Sequence, residues 1–387
     1  MMTLFPYPLM RIGMIGGGQL GKMTAQIAKK MGFYITVLDP TPQCPAAQIA
    51  DVHIIGSLYD AEKLKQLAQV SDVLTYEVEH VDTMTLKALE KNGVIIRPAP
   101  QLLEIIQDKL IQKQKLIQYG IPVPHFEQVD NLTREYLATV SFPIVQKART
   151  GGYDGKGVVI LKNINDADKI LPTPSILEEY VDLDKELAVI VARSIHGEMA
   201  GYPVVEMIFD DKTNICDIVA APAHIDAQLA TEATKIATQA IEKLEGVGVF
   251  GVEMFLTKQG QILVNEIAPR PHNSGHYTIE ACVTCQFEQH LRAIAGLPLG
   301  ATTLLIPAVM WNLLGEPEYQ GQAMIEGLSE ALEIAGLSFH FYGKQDTQPF
   351  RKMGHITIID EKMEGALAKL QQVRDIIKIK ARGTICK

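Results

Sequence analysis

Two glutamates, Glu253 and Glu266, each stand inside an apolar run: Phe250-Gly251-Val252-Glu253-Met254-Phe255-Leu256-Thr257 and Ile262-Leu263-Val264-Asn265-Glu266-Ile267. Between the runs lies Lys258-Gln259-Gly260-Gln261, where a two-residue turn at Gln259-Gly260 predicts a hairpin. That turn sets Glu253 directly against Glu266 on one face of the sheet. Like charges directly opposed are destabilising, and the apolar flanks limit their solvation. A divalent cation between them removes the conflict; a shared proton or a solvated edge is the other resolution. Ligands that are all oxygen select Mg2+ or Mn2+, ions that also bridge phosphates.

Other chemistry-bearing residues gather nearby in sequence. Directly after the second glutamate, Ala268-Pro269-Arg270-Pro271-His272-Asn273-Ser274-Gly275-His276 displays five polar donors on a chain stiffened by two prolines. Such a loop beside a metal pair suits an anionic substrate, or it caps a helix. Lys147-Ala148-Arg149-Thr150-Gly151-Gly152-Tyr153-Asp154-Gly155-Lys156-Gly157 holds four glycines and three cations in eleven residues. Glycine follows Gly155-Lys156 where a Walker A loop has Ser or Thr, and strand-like runs lie on both sides. A flap closing over a polyphosphate fits this pattern, and an ordinary hairpin loop is the bland alternative. Gly16-Gly17-Gly18-Gln19-Leu20-Gly21 fits G-x-G-x-x-G after a strand, with Asp39 about 20 residues on. A nicotinamide or flavin cofactor, another phosphate ligand and a purely structural turn all satisfy it. Near the end of the chain, Lys344, Arg351 and Lys352 either grip a phosphate or stay solvated. Cys282-Val283-Thr284-Cys285 has CxxC spacing without a second pair, inside a predicted helix, and reads as two buried thiols.

The elements that must position these groups follow from periodicity. Apolar runs at 11–15, 34–38, 52–55, 73–76 and 94–96 alternate with helical stretches, which predicts a parallel α/β unit with ligands at its carboxyl edge. One helix is expected from about Ala99 to Tyr119, ending at Gly120. Strand-like runs then flank the second glycine stretch, at Ile144–Lys147, Val158–Leu161 and Ser175–Glu178. Antiparallel strands are expected at Leu187–Arg193, Tyr202–Phe209 and Ile215–Ala221, then a helix from Ala227 to Leu244, the glutamate hairpin, and a helix from Ile279 to Ala295. The tail predicts strands at Ser338–Tyr342 and His355–Ile359 and a helix near Met363–Ile376.

Composition narrows the class. The 387 residues are 47% hydrophobic and 21% charged, which argues against disorder and coiled coil. A net charge of −9 makes nucleic acid a poor partner. Five cysteines are too few, and odd in number, for a disulfide framework, so a reducing, cytoplasmic setting is expected. No apolar run is long enough to predict a membrane span. The first ten residues read as a short disordered lead, not a signal peptide.

Together the motifs GGGQLG (16–21), QDKLIQK (107–113), KARTGGYDGKG (147–157), EEYVDLDKEL (178–187), NEIAPRPHNSGH (265–276) and FYGKQDTQPFRKMGH (341–355) resemble the ATP-grasp superfamily. In detail they are similar to the carboxyaminoimidazole ribonucleotide synthetases of purine biosynthesis. The resemblance implies an α/β and α+β ATP-grasp fold. An N-terminal parallel α/β domain would span 1–106, and an ATP-grasp domain 107–300 with a small lid at about 125–185. An antiparallel β-rich domain would span 301–387.

It implies ATP between two antiparallel sheets, with Lys109 and Lys147 on its phosphates beneath the flap of Gly152, Tyr153, Asp154, Gly155, Lys156, Gly157 and Val158. Glu178, Glu179, Tyr180 and Val181 would hold adenine through backbone groups, and Glu186 the ribose. Glu253 and Glu266 would bind Mg2+, with Asn265 nearby. The ribonucleotide would meet Gln19, Tyr153, Asp154, Arg270, His272, Asn273 and Ser274, and its 5′-phosphate Lys344 and Arg351. Lys147, Asp154, Arg270 and His272 would carry the chemistry: bicarbonate, ATP and 5-aminoimidazole ribonucleotide giving the carbamate, ADP and phosphate. A homodimer is implied too. Val158, Lys109 and Cys285 depart from a frequent Gln, Arg and Ser of the family. Competing expectations are a formate-dependent glycinamide ribonucleotide transformylase, an NAD-dependent oxidoreductase and an inactive ribonucleotide-binding regulator.

Overall fold

The computed structural model describes residues 7–152, 157–210 and 213–382. The expectations for Tyr153, Asp154, Gly155 and Lys156, and for the first six residues, lie outside the described residues. Of the proposed lead, Leu9 and Met10 are tied down: Leu9 N–H donates to the Gly32 carbonyl and Tyr34 N–H to that of Met10.

Four parallel strands open the chain, in the spatial order Val52–Ile55, Tyr34–Asp39, Arg11–Ile15, Val73–Tyr76. The apolar runs of the three strands Tyr34–Asp39, Arg11–Ile15 and Val73–Tyr76 are buried on both faces, as parallel sheets require, while the edge strand Val52–Ile55 is largely exposed. The expected fifth strand at 94–96 reduces to one bridge, Leu74 to Ile96. A second sheet of nine antiparallel strands forms the body. Its path runs Ile262–Ala268, Gly248–Thr257, Leu183–Arg193, Val205–Phe209, Cys216–Ala221, Ala308–Leu314, Lys352–Ile359, Leu337–Phe341, with Met199–Gly201 beside Leu183–Arg193. The sheet therefore runs without a break across residue 300 into the tail.

Alternation along Leu183–Arg193 divides the core. Leu187, Val189 and Val191 pack toward the helix Ala227–Lys243, while Ala188, Ile190 and Ala192 face the opposite layer with Tyr277 and Ala281. Glu186 continues that second row. A separate sheet, Phe126–Val129, Ser175–Glu179, Ile144–Ala148, Val158–Leu161, closes on its own cluster around Leu137, Leu161 and Leu177.

Two expected helices are broken, each for a local reason. The 99–119 helix splits into Pro100–Gln107 and Lys109–Gln118, because Asp108 is extended (φ −113°, ψ 109°) and its carboxylate accepts from the Leu110 and Ile111 N–H groups. The 279–295 helix splits into Thr278–Ala281 and Gln286–Ala295. Val283 N–H bonds the Thr303 carbonyl instead, and Cys285 Sγ caps the second helix on Glu288 N–H. The two cysteines thus lie between helices, and all four described cysteines are buried.

Candidate active site

The hairpin Gly248–Thr257 and Ile262–Ala268 pairs Glu253 with Glu266. The turn holds three residues rather than two: Thr257 N–H bonds the Gln261 carbonyl, and Gly260 takes φ +79°. A bulge at Asn265 then restores the register, since Met254 pairs with Val264 and Glu253 with Glu266. Asn265 is left unpaired in the ladder, so Asn265 and Glu266 together oppose Glu253. All three line one cleft, of about 850 Å³.

Cations answer these acids. Lys109, the first residue of its helix, ion-pairs with Glu266. The helix start is fixed by Asp108, which Arg149 also grips (Nη2 to Oδ2 2.5 Å). Burial pushes the Glu266 carboxyl up, but Lys109, Lys147 and His272 outweigh it and bring it down to about 2. Glu253 Oε1 lies 3.2 Å from His272 Nε2. Ser274 N–H points at His272 Nδ1, as does its hydroxyl at 2.8 Å, so the ring proton belongs on Nε2, toward Glu253. Gly251 makes room for this ring: a Cβ there would sit 2.5 Å from that of His272. Gln286 clamps the loop, accepting from His272 N–H (2.9 Å) and donating to its carbonyl (2.8 Å).

The small sheet faces this hairpin across the cleft. Lys147 donates to Asn265 Oδ1 at 2.8 Å, lies over the Phe255 ring, and pairs with Glu178 at 2.5 Å. Gly152, Val158, Glu179, Tyr180 and Val181 line the same side. Glu178 sits on a central strand, with its main chain in the ladder, so its side chain is what it offers the cleft. Gly157 lies next to the lining, its carbonyl bound to Ala148 N–H. Across from them, burial and the neighbouring Glu253, partly offset by Lys147, raise Glu186 to about 7.

The cleft continues to the first sheet's carboxyl edge. Gln19, Arg270, His272 and Asn273 line it. Asn273 exchanges two hydrogen bonds with Asn312, at 2.9 and 2.8 Å, and Ser274 is fully buried behind His272. Lys352 lines the cleft, whereas Lys344 and Arg351 do not; Lys344 donates to the Lys352 carbonyl (2.6 Å) and Arg351 to that of Asp346 (2.7 Å). The N–H groups of the four glycines of GGGQLG are already engaged, that of Gly16 by the Leu38 carbonyl. Glu77 accepts from Gly18 and Gly21, and Asp39 accepts from Gly17 and Thr41, both at 2.8 Å. A Cβ on Gly18 would lie 2.7 Å from Glu77 Oε1, so the close approach needs glycine. The motif thus binds the protein's own carboxylates, and Asp39 is not turned toward a ribose.

Sequence reasoning missed the segment Glu77–Asp82, which lines the cleft and supplies Glu79 to Arg270 (2.8 Å). Its signal was its place after the strand Val73–Tyr76, at the carboxyl edge of a parallel sheet. Two carboxylates and an amide oxygen form a hard-oxygen donor set that fits Mg2+, and the neighbouring lysines suit the phosphates that such an ion carries. Among the described residues no helix is long and apolar enough to cross a membrane.

Family models match along the chain: a ribonucleotide synthetase preATP-grasp domain at 9–107, an ATP-grasp domain at 114–287 and a phosphoribosylaminoimidazole carboxylase C-terminal domain at 308–369. The chain spans about two thirds of the length of the plant and yeast phosphoribosylaminoimidazole carboxylases it matches. It is 42% identical to an N5-carboxyaminoimidazole ribonucleotide synthase of Synechococcus elongatus, over 91% of this chain and 90% of that one. The crystal structure of the Thermotoga maritima synthetase is 55% identical with a TM-score of 0.90, covering 96% of this chain and 100% of that one. An Aspergillus clavatus synthase in complex with ADP and 5-aminoimidazole ribonucleotide is 36% identical with a TM-score of 0.87, covering 95% and 98%. On fold and sequence alike, the chain belongs to the N5-carboxyaminoimidazole ribonucleotide synthetase family of ATP-grasp enzymes.

Proposed function

We propose that this chain is an ATP-dependent carbon–nitrogen ligase that carboxylates 5-aminoimidazole ribonucleotide with bicarbonate, releasing ADP and phosphate, in purine biosynthesis. The observation that carries the reading is one continuous cleft. It joins the lysine-and-glutamate floor between two antiparallel sheets to the Arg270–Asn273 loop and the carboxyl edge of the first sheet. ATP lies at the first end and the ribonucleotide at the second.

Lys109 and Lys147 bind the phosphates, and Glu186 accepts from the ribose. Mg2+, held by Glu253 and Glu266 with Asn265 beside them, supplies charge neutralisation on the phosphates when bound. Bicarbonate oxygen attacks the γ-phosphoryl group, ADP leaves, and carboxyphosphate forms. Lys147 and Arg270 offset the charge of that transfer. Carboxyphosphate releases phosphate and carbon dioxide, and the 5-amino group attacks the carbon, its lost proton ending on the released phosphate. By resemblance Asp154 is assigned to orient the amine, and His272, held beside Ser274 and Glu253, to handle its proton. Water must be excluded while carboxyphosphate exists, the role given to the Gly152–Val158 flap.

The small, odd number of cysteines supports a reducing, cytoplasmic setting. Homodimerisation rests on the family resemblance, and light scattering against the 42.6 kDa chain mass tests it. An ADP-release assay with bicarbonate and 5-aminoimidazole ribonucleotide omitted in turn tests the function. Turnover is expected only with both. Turnover with formate and glycinamide ribonucleotide instead would assign the chain the transformylase chemistry.

A further inference from the structure

Lys113 lies one turn beyond Lys109 on the helix Lys109–Gln118 and does not line the cleft. Its side chain is 2% exposed, as is that of Glu178. Lys113 Nζ lies 2.7 Å from Glu178 Oε1, and Lys147 Nζ lies 2.5 Å from Glu178 Oε2. One buried carboxylate is therefore shared by two ammonium groups. Only Lys147 reaches on to the cleft, where it donates to Asn265.

A buried ammonium is costly, and an apolar side chain would fill this space more cheaply. The position of the charge supplies a reason for it. If Glu178 faced Lys147 alone, the two would form a neutral pair and Lys147 would have little attraction left for an anion. With Lys113 on the other oxygen, the three groups carry a net positive charge, and the excess is exposed on the cleft side. We propose that Lys113 is a positioning residue for ATP. It takes one oxygen of Glu178, so that Glu178 aims Lys147 without neutralising it.

This inference rests on the reading that Lys147 contacts the ATP phosphates. The test is a double-mutant cycle on the full chain, with steady-state kinetics for ATP and for 5-aminoimidazole ribonucleotide. Lys113→Met should lower kcat/KM for ATP by about tenfold or more, with the ribonucleotide KM changed less than about twofold. Lys113→Met/Glu178→Gln should recover at least about threefold over the single variant, because removing the carboxylate frees Lys147 again. A general packing defect would not be relieved by a second core substitution. If the Met variant does not fold, Lys113→Gln, which keeps a donor toward Glu178 and loses the charge, carries the same comparison. Wild-type ATP kinetics in the folded variant, or additive losses in the double variant, overturn the proposal. Lys147→Met separates the two readings. Full ATP kinetics in Lys147→Met would remove the phosphate role of Lys147 itself. A severe loss there beside an unaffected Lys113 variant would remove only the role of Lys113.

Discussion

The carboxylates of Glu253 and Glu266 project from directly opposed positions of two antiparallel strands, and each has its own partner: His272 for the first, Lys109 for the second. Each acid is thus engaged from the protein side, through oxygens that can exchange those partners for a cation carried in with the nucleotide.

Glu266→Gln keeps the shape of the pair and removes one charge. Turnover should fall by about a hundredfold or more, with the melting temperature within a few degrees of wild type. The checks are ADP release and circular dichroism. Chelation of divalent ions should abolish wild-type turnover, and added Mg2+ should restore it. Near-normal activity in this variant would remove the metal assignment.

Glu186, brought up to about 7, ionises within the working range. An ionised carboxylate is the better acceptor for a ribose hydroxyl. The apparent affinity for ATP should therefore rise between pH 6 and pH 8, and Glu186→Gln should flatten that part of the profile. KM for ATP measured at each pH, in both proteins, decides it; parallel profiles would exclude Glu186 from the ribose.

At the ribonucleotide end, the cleft is lined by Lys352 and not by Arg351. Lys352→Met should raise the ribonucleotide KM by about tenfold, about 1.4 kcal/mol, while Arg351→Ala should raise it less. Both should leave KM for ATP near wild type. A larger effect of Arg351→Ala would favour Arg351 over Lys352 as the phosphate ligand, as the family resemblance implies.

His290 sets an acid limit on stability. It is buried between Thr75 (2.8 Å) and Val249 N–H, which donates to Nδ1 at 3.2 Å, and burial lowers it to about 4. The unfolded chain, with its ordinary imidazole, binds the proton more readily. Stability is therefore full above pH 6.5 and declines as pH falls toward 4, by about 2 kcal/mol between pH 7 and pH 5 from this group. Thermal melts of wild type and His290→Gln should show a smaller acid loss in the variant. Equal losses would assign the acid sensitivity to other groups.

The glutamate hairpin shows how far local rules reach. Its strands, its glycine turn and the meeting of Glu253 with Glu266 are legible because alternation and turn chemistry are short-range. The three-residue loop and the bulge at Asn265 are not, since each depends on packing against the strand Leu183–Arg193 and the facing sheet. The two departures shift the register in opposite senses, so the pairing comes out the same while Asn265 is turned onto the acidic face.

The first glycine motif shows the converse. Its spacing advertises an anion site, and a carboxylate is there, but it is that of Glu77, just past a strand more than fifty residues away. Sequence alone determined the alternation of strands and helices, the acids and cations of the nucleotide site and the family to which those motifs point, because periodicity and motif spacing are written along the chain. Tertiary structure alone decided which oxygen each cation meets: Lys113 behind Glu178, Lys352 rather than Arg351 at the cleft, and Asn273 locked to Asn312. Those partnerships join residues distant in the chain, and their geometry is set by how the sheets stack, which no local pattern encodes.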